Sequence, residues 1–122
     1  MVFLSFDFDE EESEDMKKFI EQCLDMGIGD DVYVRHSSSG VNWHVKTSIS
    51  LPPKSELHVR EHWGDCKGRC IADTSRIKAG LKSSRLFRIK TTIDIKTGEK
   101  TFKEAGEWIT ATKWYAEHHE RI

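Results

Sequence analysis

The chain has 122 residues, a formal net charge of −2 and three cysteines. This length predicts one domain over residues 1–122, and the odd number of cysteines argues against the disulfide framework of a small secreted protein. The sequence has neither the pattern of a secretory signal nor an apolar run long enough to span a membrane. A cytoplasmic location with no membrane partner is therefore expected. The charge is uneven, because acids crowd residues 7–15 whereas residues 76–90 hold bases and no acid. This separation suits an anionic ligand bridged by a metal ion.

The first predicted element is a strand that ends in two aspartates. Residues 2–9 read Val-Phe-Leu-Ser-Phe-Asp-Phe-Asp. Side chains alternate between the two faces of a strand, so Asp7 and Asp9 share one face while Phe6 and Phe8 share the other. Two carboxylates on one face are typical of a site for a hard cation such as Mg²⁺ or Mn²⁺. A strand that ends in a solvated acidic turn has the same pattern and stays open as the alternative.

The next elements predict a helix and then a hairpin. Apolar residues recur at helical spacing over 13–26, with Ser13 as a candidate N-cap and Gly27 at the C-terminal position. Strands over 31–36 and 41–51 are joined by a Ser/Gly turn, whose exposed backbone N–H groups suit phosphate oxygens. His44 lies just inside the second strand, where a structural histidine is the common alternative to a ligand-binding one.

The second half of the chain predicts shorter elements. They are a helix over 56–63 capped by Ser55, a glycine-bearing turn over 65–70, a strand over 71–73 that delivers Asp73, a short helix up to Gly80, a strand over 85–95 with a partner over 100–102, and a closing helix to 119 with Trp108 in the core. Strands and helices in this order predict an α+β fold, with helices packed on a mostly antiparallel sheet.

Three short motifs stand in the order of a known family. They are Phe-Asp-Phe-Asp at 6–9, Ser-Gly-Val-Asn-Trp-His at 39–44 and Ala-Asp at 72–73. In order and spacing they resemble the catalytic core of the archaeo-eukaryotic primase superfamily, the primase-polymerases, in its compact plasmid- and virus-type form. The resemblance covers residues 2–90 and implies an RRM-like sheet with helices on one face.

The resemblance also implies a function and its residues. The chain would be a metal-dependent nucleotidyltransferase, a DNA primase or polymerase that acts in replication. Asp7, Asp9 and Asp73 would hold two Mg²⁺ or Mn²⁺ ions, and His44 with Ser39 and Gly40 would contact the phosphates of a nucleoside triphosphate. The implied partners are single-stranded DNA and either a second replication subunit or a second copy of the chain. From their charge alone, further phosphate contacts are expected of three residues: Arg85, Arg88 and Lys90.

A zinc site is a further expectation, because the family often carries a zinc element between its second and third motifs. The interval here contains His58, His62, Cys66 and Cys70, spaced His-x3-His-x3-Cys-x3-Cys. Neutral imidazole and thiolate are good zinc ligands. The same residues also fit an exposed histidine pair beside two packed cysteines, or a disulfide between Cys66 and Cys70.

Two other classes of function stay open. A non-catalytic RRM-like domain would bind nucleic acid or a partner protein, with stacking surfaces drawn from Phe6, Phe8, Tyr33 and Trp43, although most of these aromatic residues are expected in the core. A metal-dependent nuclease is the weaker alternative, because Asp94-Ile-Lys96 downstream of Asp73 resembles an acid-x-Lys signature.

Overall fold

The structure, a computed structural model, describes residues 1–9, 13–38, 40–81, 86 and 89–118. The strands are Val2–Phe8 (β1), Val32–His36 (β2), Trp43–Leu51 (β3), Ile89–Ile93 (β4), Lys100–Glu104 (β5) and Ile109–Thr110 (β6). The helices are Ser13–Asp25 (α1), Pro53–His62 (α2), Lys67–Lys78 (α3) and Ala111–His118 (α4). An antiparallel sheet has the order β1-β3-β2-β6, and β4 pairs with β5 in a separate hairpin. With helices packed against the four-stranded sheet, the predicted α+β class is confirmed.

The pairing of the three long strands divides the sheet into an apolar face and a polar face. Phe6 lies opposite Val45, and Val45 lies opposite Val34. One residue further along β1, Asp7 lies opposite His44, which lies opposite Arg35. Because paired residues share a face and neighbours alternate, the second row points away from the first. We call the side of the second row the polar face; its residues are Ser5, Asp7, Tyr33, Arg35, His44 and Lys46.

The apolar face is buried under α1 and α4. The inward side of α1 contributes Met16, Phe19, Ile20 and Cys23, which are buried together with strand residues from β1, β2 and β3. Phe6 stacks on Phe8 with ring centroids 4.8 Å apart, and both rings are fully buried. The prediction that most of the strand aromatics belong to the core is thus confirmed for these two. Burial of this face fixes the side of β1 that carries Asp7.

The first half of the chain follows its predicted elements closely. The helix α1 ends at Asp25 with Gly27 in a left-handed turn at φ 74°, and β2 and β3 form the predicted hairpin. The predicted cap of α2 is wrong, because Pro52 occupies the N-cap position and Pro53 the first turn. Proline suits this place since the first helical N–H groups have no partner within the helix.

Three elements of the second half differ from the prediction. The predicted turn over 65–70 is shorter than expected, because α3 already begins at Lys67. Residues 71–73 are not a strand but the middle of α3, in which Cys70 and Asp73 face inward while Ile71 is 69% exposed. Inward residues three apart are the pattern of a helix, which a short apolar run does not distinguish from a strand. The closing helix begins only at Ala111, so Trp108 lies before it in an irregular segment. Within the described residues, no helix combines the length and the apolar character that crossing a bilayer requires.

Candidate functional site

The backbone of Asp7 is fixed on both sides by the turn between α2 and α3. Its N–H donates to the Asp65 carboxylate at 2.6 Å, and its carbonyl accepts from the Cys66 N–H at 3.0 Å. Gly64 makes this turn with φ +85°, and a Cβ there would meet the Asp15 carboxylate at 2.6 Å. The outer edge of β1 is therefore covered, and the position of Asp7 is set by two elements rather than by one strand.

The side chains of Asp7, His44 and Arg35 form a row across the polar face. Arg35 donates from Nε to His44 Nδ1 at 3.0 Å, and His44 Nε2 lies 3.8 Å from Asp7 Oδ1. Because a guanidinium has no acceptor, Nδ1 must accept, and the neutral ring carries its proton on Nε2. Burial, followed by the nearby charges of Arg35 and Arg69, lowers the pKa of His44 to about 4. At neutral pH the row thus presents an uncharged N–H to the Asp7 carboxylate.

Asp7 carries an unusual carboxylate. Its Oδ1 is buried and, among the described residues, has no hydrogen-bond partner. Burial and the neighbouring Asp65 carboxylate raise the pKa of Asp7 from 3.8 to about 6, with Asp9 adding to the rise and Arg69 opposing it. A buried acceptor without a partner is energetically costly, so it marks a place where a ligand would supply the missing partner of the oxygen. An oxygen of this kind beside a second carboxylate fits a hard cation.

Asp9 follows directly after β1 and is tied to the turn between β2 and β3. The Asn42 side-chain amide donates to Asp9 Oδ1 at 3.4 Å. The backbone carbonyl of Asn42 accepts from the backbone N–H of Ser37 at 2.9 Å. Gly40 has φ +78° and is exposed in this turn. The structure therefore places the predicted Gly40 turn close to the aspartates, whereas Ser39 lies outside the described residues.

Asp73 does not join these two aspartates. It is fully buried on α3, and its Oδ2 accepts from Arg60 Nη2 at 2.6 Å. The same guanidinium binds Asp65 Oδ2 through Nη1 at 3.0 Å and lies 2.9 Å from Glu56 Oε1 without the alignment of a hydrogen bond. We call this group the Arg60 cluster: Arg60, Glu56, Asp65 and Asp73. The strand that was predicted to bring Asp73 to a two-metal site is absent, and the side chain is occupied by Arg60 instead.

The four candidate zinc ligands are not brought together either. His58 and His62 are exposed on α2, while Cys70 is buried with its thiol 3.4 Å from Asp65 Oδ2. All three cysteines are free, so Cys66 and Cys70 form no disulfide. Within the described ranges, no three or more His, Cys, Asp or Glu side chains are arranged to hold a metal ion. Of the predicted metal ligands, Asp7 and Asp9 lie near each other at the end of β1, whereas Asp73 and the four candidate zinc ligands are not gathered with them in the described part of the chain.

The cysteines lead to a test by thiol labelling. Burial raises the pKa of the Cys23 thiol to about 11 and, with Asp65, that of Cys70 to about 12. Since the thiolate is the reactive form, we expect a thiol reagent at pH 8 to label Cys66 first, and the other two only after denaturation. Mass spectrometry of the labelled native chain checks this order. Rapid labelling of Cys70 in the folded protein would contradict its burial against Asp65.

Of the three basic residues that were predicted to contact phosphate, the structure describes one. Arg85 and Arg88 lie outside the described residues, whereas Lys90 lies on β4 opposite Lys103. The nuclease signature falls in the turn of the same hairpin, where the Asp94 carboxylate accepts from the Lys96 backbone N–H at 2.9 Å. That bond is the ordinary role of an aspartate in a turn.

Four residues around the site stand in none of the sequence motifs: Arg35, Arg60, Asp65 and Arg69. Arg69 connects α3 to β1, because its Nη2 donates to Ser5 Oγ at 2.9 Å. Its Nη1 lies 3.3 Å from Asp65 Oδ1. Two signals were present, because Glu56 and Arg60, and likewise Asp65 and Arg69, are spaced four apart as helical ion pairs are. Their burial is a property of the fold and leaves no mark in the sequence.

Comparisons with protein-family models, curated proteins and solved structures gave no match to this chain. The likeness to primase-polymerases accordingly stays a prediction from the three motifs.

Proposed function

We propose that this chain binds a nucleoside triphosphate together with one Mg²⁺ or Mn²⁺ ion at the end of β1, as a domain of the primase-polymerase type. The observation that carries the proposal is the buried Asp7 Oδ1, which has no hydrogen-bond partner among the described residues and lies beside the neutral His44. Asp9 lies close enough to raise the pKa of Asp7. Two neighbouring carboxylates suit a cation that completes its coordination shell with phosphate oxygens.

The groups around Asp7 suit the anionic part of such a ligand. Arg35 holds His44 in one tautomer, and Arg69 lies close enough for its charge to act on both His44 and Asp7. The exposed turn at Gly40 is connected to Asp9 through the Asn42 side chain. A bound cation would neutralise the two carboxylates and polarise the phosphates. The phosphate contacts of Ser39, Arg85, Arg88 and Lys90 belong to the same proposal.

Calorimetric titration of a deoxynucleoside triphosphate tests the proposal. We expect the parent chain to bind in the presence of Mn²⁺. The double variant Asp7→Asn/Asp9→Asn should lose about tenfold or more in affinity, because both cation ligands lose their charge. The matched control is Asp94→Asn, which removes a carboxylate from the exposed hairpin turn. Equal manganese-dependent affinity in the double variant, or no binding by a folded parent chain, would overturn the proposal.

Nucleotidyl transfer onto a primer is the enzymatic form of this proposal, and a non-catalytic nucleic-acid-binding domain is the second candidate. The burial of Asp73 against Arg60 favours the second, because transfer by two metals uses a third carboxylate. Extension of a primer on single-stranded DNA with saturating Mn²⁺ separates them. Extension by the parent chain that Asp9→Asn abolishes supports transfer, whether the chain acts alone, as a dimer or with a second subunit. Nucleotide binding without extension supports the binding domain.

A further inference from the structure

The polar face carries an aromatic and cationic surface beside the candidate nucleotide site. Lys46 is paired with Ser5 on one side and with Tyr33 on the other, in the row next to that of Asp7 and His44. Tyr33 is 37% exposed, and Lys46 Nζ lies 5.4 Å from the centre of its ring. Since the two rows are two residues apart along each strand, they are about 7 Å apart.

Trp108 lies over this surface. Its indole is 4.3 Å from Arg35 Cζ and 4.4 Å from Lys46 Nζ, measured to the ring centroid. Arg35 and Lys46 both project from the polar face, so they contact the indole from the side of the sheet. Trp108 is only half-buried, and it precedes β6, which pairs with β2 at Tyr33 and Val34. The ring is thereby held flat against two cations and keeps contact with solvent.

This combination favours one kind of ligand. A flat aromatic ring held near positive charge stacks well on an unpaired base, and cations next to the ring suit the phosphates of the same strand. An apolar protein surface would bury the exposed Lys46 ammonium group without supplying a counter-charge, which is costly. Base pairs in a duplex are stacked on each other and leave no face for Trp108.

We propose that Trp108 and Tyr33 form a base-stacking site for single-stranded nucleic acid, next to the carboxylates at the end of β1. The site extends the proposed function, because it would place an unpaired strand beside the bound nucleotide. It stands on its own contacts, however, and it can be tested without nucleotide or metal.

Fluorescence anisotropy with a labelled oligothymidylate of about 12 nucleotides, at low salt and without divalent cations, tests the site. We expect Trp108→Ala to weaken binding by about tenfold or more and Trp108→Phe to weaken it less, because an aromatic ring is kept. Tyr33→Ala should weaken binding as well. Phe102→Ala is the matched control, since this ring is 64% exposed on the separate β4–β5 hairpin. Circular dichroism verifies the fold of each variant.

The outcomes separate this site from the nucleotide site. Weaker oligonucleotide binding in both alanine variants, with unchanged manganese-dependent nucleotide affinity, supports the stacking site. Unchanged oligonucleotide affinity in folded Trp108→Ala and Tyr33→Ala overturns it, as does a parent chain that does not bind the oligonucleotide. Loss of nucleotide affinity alone in Trp108→Ala also overturns it, because the ring would then contact the nucleotide and not a strand. The nucleotide titration of the parent chain stands or fails independently of all three results.

Discussion

Replacement of Arg60 by methionine should unfold the domain or lower its melting temperature by about 12–20 °C, as a loss of about 4 kcal/mol would do for a chain of this size. The guanidinium of Arg60 is fully buried and faces the carboxylates of Glu56, Asp65 and Asp73. Methionine fills much of the same space but leaves buried charges without their partner. Thermal unfolding followed by circular dichroism measures the effect.

Two further variants make this test specific. His58→Met changes an exposed residue on the same helix and should leave the melting temperature nearly unchanged. In the Arg60→Met background, Asp73→Asn should recover part of the lost stability, because one of the orphaned charges is removed. A stable Arg60→Met protein, with a melting temperature close to that of the parent, would show that the Arg60 cluster does not hold α2 and α3 together.

Asp73→Asn alone decides between a structural and a metal-binding role for Asp73. If the carboxylate serves Arg60, the variant should be less stable by about 1–3 kcal/mol while its manganese-dependent nucleotide affinity is unchanged. A metal ligand would give the reverse result, with lost affinity at unchanged stability. The contact with Arg60 Nη2 at 2.6 Å leads us to expect the first outcome.

Replacement of Asp7 by asparagine should have the opposite effect on stability. The pKa of Asp7 is about 6 in the folded chain and 3.8 as the ordinary value. Because the folded state binds this proton more tightly, the ionised carboxylate destabilises the fold above pH 6, and the cost disappears as the pH falls toward 4. Removing the charge should therefore raise the free energy of unfolding at pH 7.5 by about 1–3 kcal/mol, allowing for partial solvent screening.

The pH dependence of the parent chain mixes two opposing effects. His44 has its pKa lowered to about 4, so its neutral form favours the fold above pH 6.5, and this stability is lost as the pH falls through the same range. The difference between the parent chain and Asp7→Asn isolates Asp7, since His44 is present in both. We expect the stability gain of the variant to shrink from pH 7.5 to pH 4.5 in denaturant titrations. A gain that is absent, or constant with pH, would contradict the raised pKa, and Asp30→Asn, which changes an exposed acid, is the control.

Higher stability together with lost nucleotide affinity is a frequent result at functional sites. Natural chains keep a costly buried charge where a ligand needs it. In Asp7→Asn the two measurements should therefore move in opposite directions, which a merely structural aspartate would not produce.

The sequence predicted the first half of the fold because its patterns there are long and mutually consistent. The helical stripe of α1, with Met16, Phe19 and Ile20, and the alternation in β1 identify both elements without ambiguity. The same alternation predicted that Asp7 and Phe6 lie on opposite faces of β1, as the structure shows. Local periodicity was therefore sufficient for the two strands that carry the first two motifs.

The remainder depended on contacts between distant elements. Residues 71–73 lie within α3, where Asp73 meets Arg60 across the α2–α3 pair, a contact that three residues of sequence do not reveal. Trp108 was expected in a helical core, yet it lies over Arg35 and Lys46. Neither side of that contact has a periodic pattern that would predict it.

The most direct test of the cation site is a carbon-13 NMR titration of the Asp7 carboxyl group, with and without Mg²⁺ and a nucleoside triphosphate. We predict a pKa of about 6 for the free chain and a fall of about one unit or more when both ligands are present, because a bound cation stabilises the ionised form. A pKa that stays the same when Mg²⁺ and the nucleotide are added would contradict the assignment of Asp7 as a cation ligand.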